Sequence, residues 1–262
     1  MAEIAGKNLK KVSLELGGKN AQIVMPDANL ELALEGALWG AYATAGQRCT
    51  ATSRIIVHED IYEKFIEMFV ERAKTLKVGD PLNERTEMGP VINEAQRNKI
   101  HSYVEIGKKE GAKLILGGEP LKGDEYDKGF FYKPTVFKDA EPSMRICQEE
   151  IFGPVVAFIK AKNLDEAIDI LNGTKYGLSS SIYTQDINNA MKAIERIEAG
   201  ITYINGPTIG AECHLPFGGV KATGNGHREG GWTVYDIFTE IKTVYIDYSG
   251  KLQKAQIDTW EK

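Results

Sequence analysis

The chain has 262 residues, 42% of them hydrophobic and 26% charged, with a formal net charge of -5. That length buries a sizeable core, in one large or two ordinary domains, without disulfides or metals. The acidic balance offers no electrostatic case for nucleic acid or an anionic membrane, and no apolar run approaches a membrane span.

Residues 1–7 carry neither an apolar signal core nor an arginine-rich transit helix, so a cytoplasmic location is expected. The three cysteines, Cys49, Cys147 and Cys213, lie far apart with no CxxC, which suits reduced thiols. The four histidines share no ligand spacing with them, and no metal site is expected.

In chain order, residues 11–19 read as a buried strand ending in a Gly17-Gly18 turn. Leu30, Ala33, Leu34, Ala37, Leu38 and Ala41 recur at intervals of three and four, predicting a helix that runs up to a left-handed cap at Gly46. A strand over 54–57 and an amphipathic helix over 61–73 follow, broken at Gly79-Asp80-Pro81. Asn93 with Gln96 resembles a capping box opening a helix to about Glu110, before a strand over 113–116 and a Gly117-Gly118 turn. Residues 119–129 are too hydrophilic for a buried element and read as a surface hairpin or insertion; 130–137 return to strand. Strands over 155–159, 178–183 and 201–204 then alternate with helices over 164–171 and 186–197. This pattern predicts an α/β fold, a parallel sheet covered by helices on both faces, with the functional loops at the carboxyl ends of its strands. After a glycine-rich loop over 216–231, residues 240–247 alternate at period two outside the pattern, a candidate for pairing with another chain.

Cys49 follows the apolar helix and its glycine stop, flanked by Arg48 and Thr50. It is either a nucleophile facing a cleft or a small buried hydrophobe. A thiol that attacks a carbonyl needs a base, and the thioacyl product then needs an activated water. Glu15, inside the apolar run Val12-Ser13-Leu14-Glu15-Leu16, suits both demands if burial raises its pKa, and otherwise lies on the polar face of an edge strand. Glu149-Glu150-Ile151-Phe152-Gly153-Pro154 could accept ribose hydroxyls while Phe152 packs on a flat ring, or it is a solvated turn. The glycines from Gly218 to Gly226 contain no dinucleotide phosphate fingerprint between a strand and a helix.

Taken together and in this order, Leu14-Glu15-Leu16-Gly17-Gly18-Lys19, Gly46-Gln47-Arg48-Cys49-Thr50, the motif from Glu149 to Pro154, Asn205 and Pro216-Phe217-Gly218-Gly219-Val220-Lys221 resemble the motif set of the NAD(P)-dependent aldehyde dehydrogenase superfamily. The resemblance runs from about Lys7 to Asp247 and covers the carboxyl-terminal half of such an enzyme. It implies a remnant of the dinucleotide-binding domain over 1–17, a catalytic domain over 18–238, a bridging strand over 239–248 and a tail over 249–262. It implies Cys49 as nucleophile, Glu15 as general base, Glu150 and Phe152 against the nicotinamide ribose, and Gln96 and Lys99 as weaker cofactor contacts. Glu229 matches a carboxylate that relays protons in some members. The cofactor implied is NAD or NADP, and the reaction is oxidation of an aldehyde through a cysteine thiohemiacetal and thioester. One oxyanion donor would come from the half not seen here, so the chain by itself is expected to be inactive. Its partner would be that half, or further copies joined through the 239–248 strand.

The segments holding Glu212, Cys213 and Glu229 look more like the semialdehyde-oxidising branch than the simple alkanal branch. Arg48 could pair with a substrate carboxylate or turn away into a structural ion pair. Cys147 and Cys213 read as unreactive packing or loop residues. Two other readings remain open at this level: a cofactor-free thiol esterase using Cys49 and Glu15, and a non-catalytic assembly fragment.

Overall fold

The structure, a computed structural model, describes residues 1–252. Its strands are β1 (Ala21–Val24), β2 (Arg54–His58), β3 (Lys113–Leu116), β4 (Thr135–Lys138), β5 (Val155–Ala161), β6 (Tyr176–Gly177), β7 (Ser179–Tyr183), β8 (Ile201–Ile204) and β9 (Val220–Lys221). Its helices are α1 (Ala2–Lys7), α2 (Leu30–Tyr42), α3 (Tyr62–Lys74), α4 (Glu94–Lys109), α5 (Arg145–Gln148), α6 (Leu164–Asn172), α7 (Ile187–Arg196) and α8 (Val234–Phe238).

Seven strands form one sheet in the order β3-β4-β5-β2-β1-β7-β8. Six are parallel, and only β3 runs antiparallel, to β4. The alternating strand and helix pattern thus gives the expected sheet, except at β3, where the connection over 117–134 returns as a long hairpin rather than through a helix. From β1 the chain crosses left through α2 to β2, and from β7 it crosses right through α7 to β8. The common handedness of such crossovers therefore puts α2 with α3 on one face and α6 with α7 on the other.

The central strands β1, β2, β5 and β7 are buried on both faces, which is why they read as short apolar runs. Phe65 and Phe69 of α3 pack on Phe158 of β5, with Tyr42 of α2 tilted on Phe69, and all four are fully buried. Each such ring contributes about 2–3 kcal/mol through removal from water.

Several expectations shift. The anticipated strand over 11–19 is an extended segment holding only one bridge, from Glu15 to Gly224, while the regular strand starts later, at Ala21. Its backbone is tied instead to the glycine-rich loop: Leu16 N–H donates to Thr223 O (2.8 Å), Leu14 N–H to Asn225 Oδ1 (3.0 Å), and Asn225 Nδ2 to Val12 O (2.8 Å). Helix α2 ends at Tyr42, ahead of Gly46, because Ala45 and Gly46 both turn left-handed, at φ 53° and 65°. Residues 119–129 do lie on the surface, around a 3-10 turn at Asp124–Lys128. The anticipated bridging strand over 239–248 is exposed and forms no ladder among the described residues, since a strand exists only through its partner. Of the expected tail over 249–262, residues 253–262 lie outside the described residues.

No helix among the described residues is long and apolar enough to cross a membrane.

Candidate active site

The functional loops sit at the amino ends of the parallel strands, a correction to the expectation of carboxyl ends. Gly17–Asn20 leads into β1, Cys49–Ser53 into β2, and Glu150–Pro154 into β5. Strands β5, β2 and β1 are adjacent and parallel, so their amino ends bring the three motifs together at one end of the sheet. Glycines let them touch. A Cβ on Gly17 would sit 2.8 Å from Glu150 Oε2, one on Gly18 would sit 2.5 Å from the Cys49 carbonyl oxygen, and one on Gly46 would overlap the Gly153 carbonyl. At Gly18 and Gly46 the obstacle is backbone, so no side chain fits there.

Cys49 is half-buried. Burial pushes its thiol pKa up, the backbone amides of Thr50 and Cys49 hold it down, and the carboxylates of Glu15 and Glu150 raise it further. The sulfur therefore rests among anions as a thiol, and attack needs a proton acceptor. Glu15 is placed for that role, with its own pKa raised by burial and by the Glu229 carboxylate, against the Arg228 guanidinium, which lowers it. Its carboxylate leans against the Gly218 turn. Glu229 is held there by a two-way backbone pairing with Phe217, in which the Glu229 N–H donates to Phe217 O at 2.6 Å.

Glu149 and Glu150 diverge. Glu149 points outward, accepting from Arg145 Nε (2.8 Å) and Tyr103 OH (2.6 Å), and these donors hold its pKa down at about 2. Glu150 points inward and accepts from Gly18 N–H at 2.8 Å. Phe152 takes a left-handed backbone at φ 60°, unusual for an aromatic residue, and lines a crevice with Gly18, Arg48 and Glu150. That conformation is fixed from α4: Gln96 Nε2 donates to Ile151 O (2.9 Å) and Phe152 O (2.7 Å). Asn93 Oδ1 caps the Gln96 amide as the capping-box pattern predicts (2.8 Å), but the Gln96 side chain reaches the turn rather than back to the cap.

Arg48 is exposed at the crevice and forms no ion pair among the described residues. Lys99 is exposed on α4 one turn beyond Gln96, and no described contact ties it to the crevice. Glu212 and Cys213 are exposed on the loop after β8, and Glu212 lines a separate groove with Tyr203 and Leu215, so the structure does not bring them to Cys49. Cys147 is buried with its thiol pushed up to about 11. No group of three or more potential metal ligands occurs among the described residues.

Two residues escaped the sequence reading. Asn20 is buried and binds the backbone on both sides of Thr50. Lys19 is 2% exposed and its Nζ has no hydrogen-bond partner; burial lowers its pKa to about 7, with Glu150 and Glu149 pulling the other way. Lys19 left a signal, a lysine between a glycine pair and an apolar strand, whereas the role of Asn20 left none.

The sequence and the fold agree with known proteins. A model of the aldehyde dehydrogenase family matches residues 1–244. An α-ketoglutaric semialdehyde dehydrogenase of Bacillus subtilis is 45% identical over 236 residues, 90% of this chain and 48% of that protein. A betaine aldehyde dehydrogenase of Brucella anthropi is 43% identical over 243 residues, 93% of this chain and 50% of that protein. The crystal structure of a Staphylococcus aureus betaine aldehyde dehydrogenase in complex with NAD+ superposes with a TM-score of 0.87 at 39% identity, over 90% of this chain and 46% of that one. The chain spans about half the length of the curated relatives it matches. On this evidence the chain belongs to the aldehyde dehydrogenase family.

Proposed function

We propose that this chain supplies the nucleophile and the base of an NAD(P)-dependent aldehyde dehydrogenase, with Cys49 attacking the aldehyde and Glu15 activating the water that releases the acid. The observation that carries the reading is the packing of three distant motifs around one half-buried thiol, with two carboxylates near enough to shift its ionisation.

The nicotinamide ribose fits the residues present. Glu150 is aimed by the Gly18 amide and packs closely on the bare Cα of Gly17, and a carboxylate so held can accept vicinal hydroxyls. Phe152 offers a flat face beside it, and Gln96 acts by fixing the Phe152 backbone. A bound nicotinamide supplies the hydride acceptor. Cys49 loses its proton to Glu15 or to a water held by it, adds to the carbonyl carbon, and carries the acyl group as a thioester. Once that first proton has been handed on through Glu229, which is coupled electrostatically to Glu15, Glu15 takes a proton from water; the hydroxide oxygen adds to the thioester carbon and the Cys49 sulfur leaves, releasing the acid. Because burial raises the Glu15 carboxyl, deacylation should switch on as pH rises through that raised value.

The adenosine end is proposed to lie on a nucleotide-binding half outside this chain, which spans about half the length of its relatives. The substrate is proposed to be an aldehyde such as a semialdehyde, with Arg48 at the crevice mouth as a candidate for its carboxylate. Exposed apolar residues Ile241, Val244 and Tyr245 are proposed to pair with another chain in the assembled enzyme.

The test is reconstitution of the chain with a nucleotide-binding half from such a relative, followed by cofactor reduction. Cys49→Ala should abolish it. Glu15→Gln should let the acyl-enzyme accumulate and slow turnover by roughly a hundred- to ten-thousand-fold, the usual contribution of a general base. Cofactor reduction by Cys49→Ala would overturn the assignment.

A further inference from the structure

Asn20 is 3% exposed and every polar atom of its side chain is engaged. Its Nδ2 donates to the carbonyl oxygens of Cys49 (2.8 Å) and Ala51 (2.9 Å), and its Oδ1 accepts from the Ser179 amide at the start of β7 (3.0 Å). Its backbone carbonyl meanwhile accepts the Arg54 amide at 3.1 Å. One residue thus ties the nucleophile loop to β1, β2 and β7. Gly18 leaves the room for it, since any Cβ there would press on both the Cys49 carbonyl and Asn20 Oδ1.

A trans peptide is planar, with its C=O and N–H pointing in opposite directions. Once Asn20 holds the Cys49 carbonyl, the other end of the same plane, the Thr50 N–H, must point away from Asn20. That amide is first among the groups that hold the Cys49 thiol pKa down. We propose that Asn20 is the positioning residue of the nucleophile loop, fixing the Cys49–Thr50 peptide plane so that its N–H supports the thiolate. This rests on the reading of Cys49 as the nucleophile. Asn20 does not touch the sulfur and acts only through the peptide. The charged groups that face the sulfur, Glu15 from the segment before β1 and Glu150 from the turn before β5, are separate from it.

The role can be read without cofactor or a second half, from the pH dependence of Cys49 alkylation by iodoacetamide in the full chain, mapped by peptide mass with exposed Cys213 as internal reference. In Asn20→Leu the midpoint for Cys49 should rise by about one pH unit and alkylation near neutral pH should slow about tenfold, the effect of losing one amide bond to a thiolate. Cys213 should not change. Asn20→Ser, whose hydroxyl cannot span both carbonyls, should shift the midpoint the same way and serves if Asn20→Leu does not fold. Tyr42→Phe, which removes a buried hydrogen bond to Thr135 O away from the loop, should lower stability and leave the midpoint unmoved. An unmoved midpoint in the Asn20 variants, or an equal shift in Tyr42→Phe, overturns the proposal. Failure of the Cys49 assignment would show elsewhere, as cofactor reduction by the reconstituted Cys49→Ala enzyme.

Discussion

The segment after α8 is richer in apolar side chains than the three motifs around Cys49, yet the motifs are locked and the segment is bare. In the first, glycines admit backbone to backbone, Gln96 and Asn20 tie off carbonyls, and Arg54 is fully buried because its guanidinium donates to the carbonyls of Lys19, Ile170 and Leu171. In the second, Ile241, Val244, Tyr245 and Ile246 are 63–93% exposed although β-branched and aromatic residues of this kind favour a strand. The difference lies in hydrogen bonding. A buried loop is stable when side chains and neighbouring turns satisfy its backbone, whereas a strand-favouring segment is stable only when a ladder is offered to it.

The contrast breaks most sharply at Gly46. Gly46→Ala places a Cβ against the Gly153 carbonyl at a left-handed position, and should cost about 3 kcal/mol, lowering Tm by roughly 8 °C in thermal unfolding. Lys19 sharpens it through pH. Its buried amine has a pKa near 7 against an ordinary 10.5, so between those values the unfolded chain binds the extra proton and this group's contribution to stability grows as pH rises. Lys19→Met should therefore stabilise by roughly 2 kcal/mol at about pH 6, with a gain that shrinks towards pH 10. A gain independent of pH in paired denaturation curves would remove desolvation as its cause. The smallest effect belongs to the other region: Ile241→Asp with Tyr245→Asp should change the unfolding free energy of the chain by under about 0.5 kcal/mol. A loss comparable to that of Gly46→Ala would mean that the segment packs on the domain.

Much of this was legible in the sequence. The five longer helices were legible from periodicity, with Asn93 as a cap; Asn29, Asn163 and Asp186 cap in the same way in the structure, while the short helices α1, α5 and α8 were not anticipated. Strand β1 was misplaced because residues 12–16 are as apolar as 21–24, and only tertiary pairing with β2 and β7 distinguishes them. The end of the sheet that carries the site was also misjudged. Loops that follow parallel strands lie at carboxyl ends, whereas the motifs here each precede a strand, a position readable from residue order alone. Cys49, Glu15 and Glu150 stood out as chemistry-bearing residues in improbable company. Asn20 and the backbone role of Gln96 did not, because an amide bound to main-chain carbonyls leaves no pattern in the sequence.

The divergence of Glu149 and Glu150 has a consequence for how the crevice responds to its surroundings. The outward carboxylate is anchored on Arg145 at the protein surface, where mobile ions compete for it, while the inward one is aimed by a single amide. Salt therefore screens the outer pair far more than the half-buried inner hydrogen bond, so the two neighbours respond differently to ionic strength.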